Sequence, residues 1–495
     1  MNLLDKQLNL AFKFLFIFCL CLLVLRFFNS ISFIEPLHVQ TGGAEDTSFI
    51  GIWFIKNGIY GYDHFLNFKI QINSPNILSL FHYNWLFYYL NATVVTFTQK
   101  ILSLNDLWLP TIVRITCFIL TLLCFIFFYK SLNVLNKTKL SFFLSFYLFF
   151  GPLTGFWVIS GKPDIFYIVF EVLAIFIILN TQFRRNYINL LLIIILLYFS
   201  WSVKQTSVVT ITGFALFLLY KKKYTFFLFL VGAFISFLTL TKFFGPNKLF
   251  ESIFWQGGAA ISFDFKHFIN VFLDSISKGL VFYVGLICFI LNFSKKKKFM
   301  VFLKSLNDNQ IFILISLILS TSQIFFSFHY GSAVNYYYIF FIYLALFLYS
   351  EFNGFIKIKK MKIFFISSIY IQIILISFIF FGIRGSLSPV KYYNIDEFRK
   401  CTENLQLPIF SDHKPYYRLP WITPNENPIL VTMMYKNFIK DMNFKNTPIF
   451  KSIKNGQFKT LIIRNSNKYI LKDYEYLKKC KTLNDLDVKI FVKSK

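Results

Sequence analysis

The sequence predicts an all-α polytopic membrane protein of about eleven transmembrane helices, with interfacial helices in its first outer loop and a small C-terminal α/β extracytoplasmic domain. Three observations carry that reading. The chain is 56% hydrophobic and only 15% charged, which leaves too little polar surface to cover a soluble globule of 495 residues. Apolar runs of roughly 17 to 25 residues recur along it, the length that crosses a bilayer as a helix. Short clusters of Lys and Arg fall at nearly every second gap between those runs, which the positive-inside rule reads as cytoplasmic.

The cytoplasmic clusters are Lys130, Lys137 and Lys139; Arg184 and Arg185; Lys221 to Lys223; Lys295 to Lys298; and Lys357, Lys359, Lys360 and Lys362. Lys6 and Lys13 put the N-terminus on the same side. The first apolar run, Leu10 to Phe28, has no small-residue cleavage site before Glu35 and is followed by further spans, so it reads as an uncleaved anchor. Spans follow at 108–129, 140–157, 164–181, 187–203, 205–220, 224–243, 268–293, 309–328, 335–350 and 363–383. The odd count carries the C-terminus outside. Between the fifth and sixth spans, Trp201-Ser-Val-Lys-Gln leaves room only for a tight polar hairpin at the outer surface.

The long outer segment from Ser30 to Leu107 is not uniformly polar. Glu45 to Lys56 and the aromatic-rich Ile77 to Ile101 have apolar residues at helical spacing, and fit two interfacial helices better than two more spans. A later outer loop, Gly245 to Lys266, carries Trp255-Gln-Gly-Gly and reads as a lid with hinge glycines. Composition changes near residue 383. Residues 1–383 form the transmembrane domain and 384–495 a tail in which 408–412, 458–464 and 487–492 read as strands, with helices at Ile429 to Met442 and Leu471 to Lys479.

The net charge of +28 comes mostly from the cytoplasmic loops and the tail, so anionic membrane lipids, and not nucleic acid, are the expected polyanionic partner. Five of the 7 Cys lie in apolar runs and show no metal-ligand spacing. Cys401 and Cys480 lie in the tail, where an oxidising compartment permits a disulfide or two free thiols.

The chemically unusual residues fall in the outer gaps. Glu45 and Asp46 open an interfacial helix after Gly42-Gly43; first-turn acids complement a helix dipole, and a carboxylate at an apolar boundary also suits a general base. Lys162-Pro163-Asp164 caps one span and Lys204-Gln205 another, either snorkelling or holding a phosphate at headgroup level. Arg114 lies just inside the second span, His82 lies in the aromatic segment, and Asn335-Tyr336 follows Gly331-Ser332.

In order and common sidedness, these motifs resemble the bacterial GT-C glycosyltransferases, specifically lipopolysaccharide-core transferases of the Rgt type, related to protein O-mannosyltransferases and lipid A aminoarabinose transferases. The resemblance covers Asn9 to Ile383. It implies a GT-C-like catalytic domain in the bacterial inner membrane that moves a sugar from a polyprenyl-phosphate donor to a glycan, lipid or protein acceptor at the outer face, inverting the anomeric carbon. Asp46 would be the base, with Glu45 second because the usual Asp-Glu order is inverted here. Lys204, Gln205, Lys162, Asp164, Arg114, His82, Asn335 and Tyr336 would bind substrate and phosphate. The chemistry requires no cofactor; relatives that use a divalent metal leave that choice open, with Glu45, Asp46 and His82 as its candidate ligands. Lys162 stands where many relatives have Arg, losing the bidentate fork.

A transporter or lipid flippase is the alternative from a different class. Such proteins place ionisable groups near the bilayer midplane, and Glu171, inside a span about two turns from Asp164, is the residue here that fits that pattern.

Overall fold

A computed structural model describes residues 3–31, 45–58, 84–153, 160–180, 187–245, 249–250, 264–295, 304–328, 334–381, 400–401, 405–406, 409–411, 430–431, 453–463, 471–481 and 487–494. The chain divides into two compact units. The first comprises Met1–Ser32, Arg114–Leu240 and Ser262–Ser388; the second comprises Phe33–Val113, Thr241–Ile261 and Pro389–Lys495. The composition change near 383 and the Trp255 loop lie outside the described residues.

The described helices are α1 (Leu3–Ile31), α2 (Glu45–Lys56), α3 (Trp85–Leu102), α4 (Leu109–Leu135), α5 (Leu140–Phe150), α6 (Asp164–Asn180), α7 (Tyr187–Val203), α8 (Val209–Tyr220), α9 (Tyr224–Phe244), α10 (Phe265–Lys295), α11 (Asp308–Ile324), α12 (Tyr338–Ile356) and α13 (Lys359–Phe381). Among the described residues six candidate spans are long and apolar enough to cross a membrane, and α5, α7 and α8 are shorter apolar helices. The protein is therefore an integral membrane protein with multiple spans.

Each of the eleven apolar runs is represented by a helix, with one clear shortening. The run expected over 140–157 stops at Phe150, where Gly151 donates its N–H to Tyr147 O and Pro152 follows. Proline cannot continue the helical ladder, so α5 is only 11 residues long. The tight hairpin expected near Trp201 is present: α7 ends at Val203 and α8 begins at Val209, joined by a turn in which Ser207 N–H bonds to Lys204 O at 3.0 Å.

α12 lies at the centre of the first unit. Tyr337 through Tyr349 is apolar or aromatic around the whole helix and buried throughout, as expected of a helix that neighbours enclose on all sides. It packs against α10, α11 and α13, while α6 pairs with α7, α8 with α11, and α1 with α5 and α13. Close approach between α8 and α11 depends on Gly213, since a Cβ there would come within 2.2 Å of Ser316 Oγ.

α10 is kinked at Gly279, whose φ of −121° and ψ of 24° leave the helical region. The backbone groups freed by the kink are met by a side chain. Gln372 of α13 accepts from Leu280 N–H at 2.8 Å and donates to Ser277 O at 2.8 Å, and Tyr147 OH donates to Lys278 O at 3.0 Å. Such pairing is what makes a broken helix tolerable where water is absent.

Hydrogen bonds sort the helix ends of the first unit into two sets. At one end Lys221 pairs with Asp308 at 2.5 Å, Asn309 donates to Leu179 O, Gln310 donates to Glu351, Tyr349 bonds with Thr138, and Lys362 pairs with Asp5. This end gathers the basic clusters at 137–139, 221–223 and 357–362. At the other end Gln323 donates to Thr206 O at 2.6 Å, and the starts of α6 and α12 meet the end of α7.

In the second unit α2 and α3 pack together. Asp106 ties their C-terminal ends, accepting from Trp53 Nε1 at 3.1 Å, from Lys56 Nζ and from Gln99 Nε2 at 3.3 Å. The two helices therefore run in the same direction, which brings their first turns to one end. The same unit contains a five-stranded sheet of order β2-β1-β3-β5-β4, formed by β1 (Ile409–Ser411), β2 (Leu430–Val431), β3 (Thr460–Ile463), β4 (Tyr474–Lys481) and β5 (Asp487–Lys493). The expected strands at 408–412, 458–464 and 487–492 correspond to β1, β3 and β5.

Two helix expectations in the tail are corrected. Leu471 to Lys479 contributes most of β4, because antiparallel pairing with β5 and a bulge between Tyr476 and Lys478 override its local apolar spacing. Leu430 and Val431, expected in a helix from Ile429, form β2; the rest of that segment to Met442 lies outside the described residues. Cys401 and Cys480 form a disulfide across 79 residues.

Candidate functional site

Four buried cations collect at the end of the first unit opposite the basic clusters. Lys204 ends the α7 segment and is 4% exposed. Its Nζ lies 2.6 Å from Asp164 Oδ1, 4.9 Å from the Tyr336 ring and 5.2 Å from the Tyr167 ring. Asp164 is the first residue of α6 and also accepts from Asn335 Nδ2 at 3.1 Å. Asn335 and Tyr336 occupy the 3₁₀ turn that leads into α12. The central helix thus delivers two site residues directly to the bundle end.

Lys162, two residues before Asp164, is 4% exposed, and its N–H bonds to Ser160 O. Ser160 O also accepts from Cys117 Sγ at 3.2 Å, which sets the Ser160–Lys162 loop beside α4, one turn from the fully buried Arg114. Arg26, near the end of α1, is 2% exposed and donates from Nη1 to Gly151 O at 3.3 Å. Tyr338 lies close enough to interact electrostatically with both Arg26 and Asp164. Gln205 is half-buried in the turn after Lys204.

Arg26, Arg114, Lys162 and Lys204 are all buried, as are the acids Asp164 and, two turns deeper, Glu171. Burying charge is costly unless it is paired.

Of the residues picked from sequence, the structure therefore brings Lys204, Asp164, Asn335 and Tyr336 into direct contact and places Lys162 and Arg114 on adjoining elements. Glu45 and Asp46 form the first turn of α2 in the second unit, and their side chains lie outside the described residues, as does His82. Arg26 and Tyr167 were missed. An Arg breaking the last turn of an apolar anchor run is the signal that would have found Arg26; Tyr167 lies one helical turn from Asp164, on the same face.

No protein-family model matches the chain, and no curated protein sequence matches it. Solved structures do. ArnT from Cupriavidus metallidurans, bound to undecaprenyl phosphate, superposes with a TM-score of 0.56 at 10% identity, covering 96% of this chain and 97% of that one. The fold is ArnT-like. The apo state of the same protein gives a TM-score of 0.54 with the same identity and coverage. This likeness extends over nearly the whole length of the chain.

Proposed function

We propose that this protein is an integral-membrane glycosyltransferase that takes a sugar from a polyprenyl-phosphate carrier and transfers it, with inversion, to an acceptor hydroxyl at the outer face of the bacterial inner membrane. The observation that carries the reading is the buried cluster of Lys204, Asp164, Asn335 and Tyr336 at one end of an ArnT-like bundle. A lipid phosphate is the anion best suited to that position, because its polyprenyl tail stays in hydrocarbon while its headgroup meets the helix ends. The basic clusters collect at the opposite end, which by the positive-inside rule makes the site end extracytoplasmic. The N-terminus is then cytoplasmic and the sheet-bearing tail extracytoplasmic. The order of motifs favours the Rgt-type transferases within this architecture, with a glycan, lipid or protein as acceptor.

In this reading the acceptor oxygen attacks the anomeric carbon, its proton passes to Asp46, and the bond between that carbon and the carrier phosphate breaks. Glu45 is the second candidate for the base. Lys204, Lys162 and Arg114 receive the charge that develops on the departing phosphate, worth most where water is excluded. Lys204 exchanges Asp164 for that phosphate, or shares itself between them. Gln205, Asn335, Tyr336 and His82 orient donor and acceptor. The leaving group is already good and needs no metal; Glu45, Asp46 and His82 are the side chains that would hold one.

Transfer from undecaprenyl-phosphate-linked sugars in proteoliposomes tests the proposal, comparing the parent with Asp46→Asn, Glu45→Gln and Lys204→Ala. Loss of the base lowers transfer at least about a hundredfold. Unchanged transfer in both acid variants overturns the base assignment. Movement of an intact lipid-linked glycan across the vesicle, without transfer, replaces the proposal with a transporter.

A further inference from the structure

Beneath the Lys204–Asp164 pair lies a buried acid that the mechanism above does not use. Glu171, 1% exposed, lies on α6 two turns below Asp164. Its Oε1 lies within hydrogen-bond reach of Ser200 Oγ, at 3.0 Å, and of Ser207 Oγ, and the two hydroxyls lie within reach of each other. Ser200 Oγ also lies 3.1 Å from Tyr167 O, a second acceptor within its reach. Thr210 Oγ1 bonds Tyr343 OH at 2.7 Å, linking the start of α8 to the central helix.

The two serines are the residues that frame Lys204. Ser200 O accepts from Lys204 N–H at 3.1 Å, and Lys204 O accepts from Ser207 N–H at 3.0 Å. One carboxylate therefore holds both sides of the turn that presents the lysine. We propose that Glu171 is a positioning residue that fixes the Lys204 turn from below and so sets where the ammonium meets the donor phosphate. A buried carboxylate is an expensive way to fill a helix interface; leucine would pack there at less cost. What the acid adds is an acceptor oxygen that hydroxyls from α7 and from the following turn both reach, so that one side chain braces both. Tyr167 ties the two layers together, with its carbonyl within reach of Ser200 Oγ and its ring against Lys204.

This inference rests on the proposed lipid-phosphate site, and two readouts separate the failure of one from the failure of the other. The first is undecaprenyl phosphate binding to the full chain in detergent, for the parent, E171A, E171Q, K204A and the double variant E171A/K204A. Loss of Glu171 weakens binding about tenfold on the parent background. E171Q keeps binding within about threefold, because an amide oxygen still accepts from both serines. On the K204A background E171A changes nothing more, since its effect runs through the lysine. An equal loss on both backgrounds overturns the positioning role. The second readout is hydrogen exchange at the amides of Lys204 to Val208, which needs no ligand. Faster exchange in E171A but not in E171Q supports the role, and unchanged exchange in E171A overturns it. If the parent binds no lipid phosphate, the functional reading falls and the exchange result alone decides Glu171. If E171A fails to fold, Ser207→Ala removes one of the two holds and is read identically.

Discussion

The Lys204–Asp164 pair makes Asp164→Asn a sharp perturbation, because the substitution deletes one charge while keeping size and an acceptor oxygen. Both side chains are nearly inaccessible, at 5% and 2% exposed, and their atoms are 2.6 Å apart. Unit charges about 4 Å apart at an effective permittivity near 20 attract by about 4 kcal/mol. Removing one partner of a buried pair costs about 3–5 kcal/mol in mutational series, because the other charge is left without its partner. The two figures agree. The retained acceptor and the rings of Tyr336 and Tyr167 put the expected loss near the lower value, about 3 kcal/mol, measured as a shift in the unfolding midpoint of the detergent-solubilised chain. A bound lipid phosphate restores a negative partner to Lys204, so undecaprenyl phosphate should stabilise D164N more than the parent. The double variant D164N/K204M should lose less than the sum of its single variants. Additive losses, or equal ligand stabilisation of parent and D164N, would refute the reasoning.

Gln372→Leu leaves Leu280 N–H and Ser277 O without the side chain that meets them in a dry interior, and should cost about 2–4 kcal/mol in the same unfolding measurement. Gly279→Ala forces a Cβ to within 2.7 Å of the Phe341 ring, so a drop in melting temperature is expected, relieved by Phe341→Leu. Replacing Cys401 and Cys480 by Ser opens a loop of 79 residues and should lower the stability of the tail by about 4 kcal/mol on the chain-entropy scale, read by limited proteolysis. In the tail, burial pushes the Tyr474 hydroxyl up to about 12 while it donates to Phe458 O at 3.0 Å. The folded state therefore holds this proton more tightly than the unfolded one. Its contribution is complete below about pH 10, where unfolded tyrosine ionises, and is lost as pH rises through about 12; Tyr474→Phe should abolish that alkaline loss in a pH series of tail melting.

The apolar runs were legible as helices, and six of the described ones are long and apolar enough to cross a membrane, because length and hydropathy alone define such a helix. The helix from Glu45 to Lys56 was equally legible from its spacing. What failed was local signal against tertiary context. Leu471, Tyr474 and Leu477 have helical spacing, yet β5 recruits this stretch as an edge strand. The grouping of Lys204, Asp164 and Asn335 could be argued only from sidedness, since 40 and 171 residues separate Asp164 from its two partners. Arg26 escaped notice because a single cation in a long anchor reads as a boundary residue. Only its burial beside Gly151 shows otherwise.

The bent helix α10 has a consequence for how this bundle can move. Because one amide side chain from α13 grips the backbone on both sides of the break, α10 cannot straighten, slide or rotate without tearing away Gln372 and exposing peptide groups to hydrocarbon. α10 and α13 therefore travel as one rigid piece. Any opening that admits a long lipid chain must occur along seams that lack such a rivet.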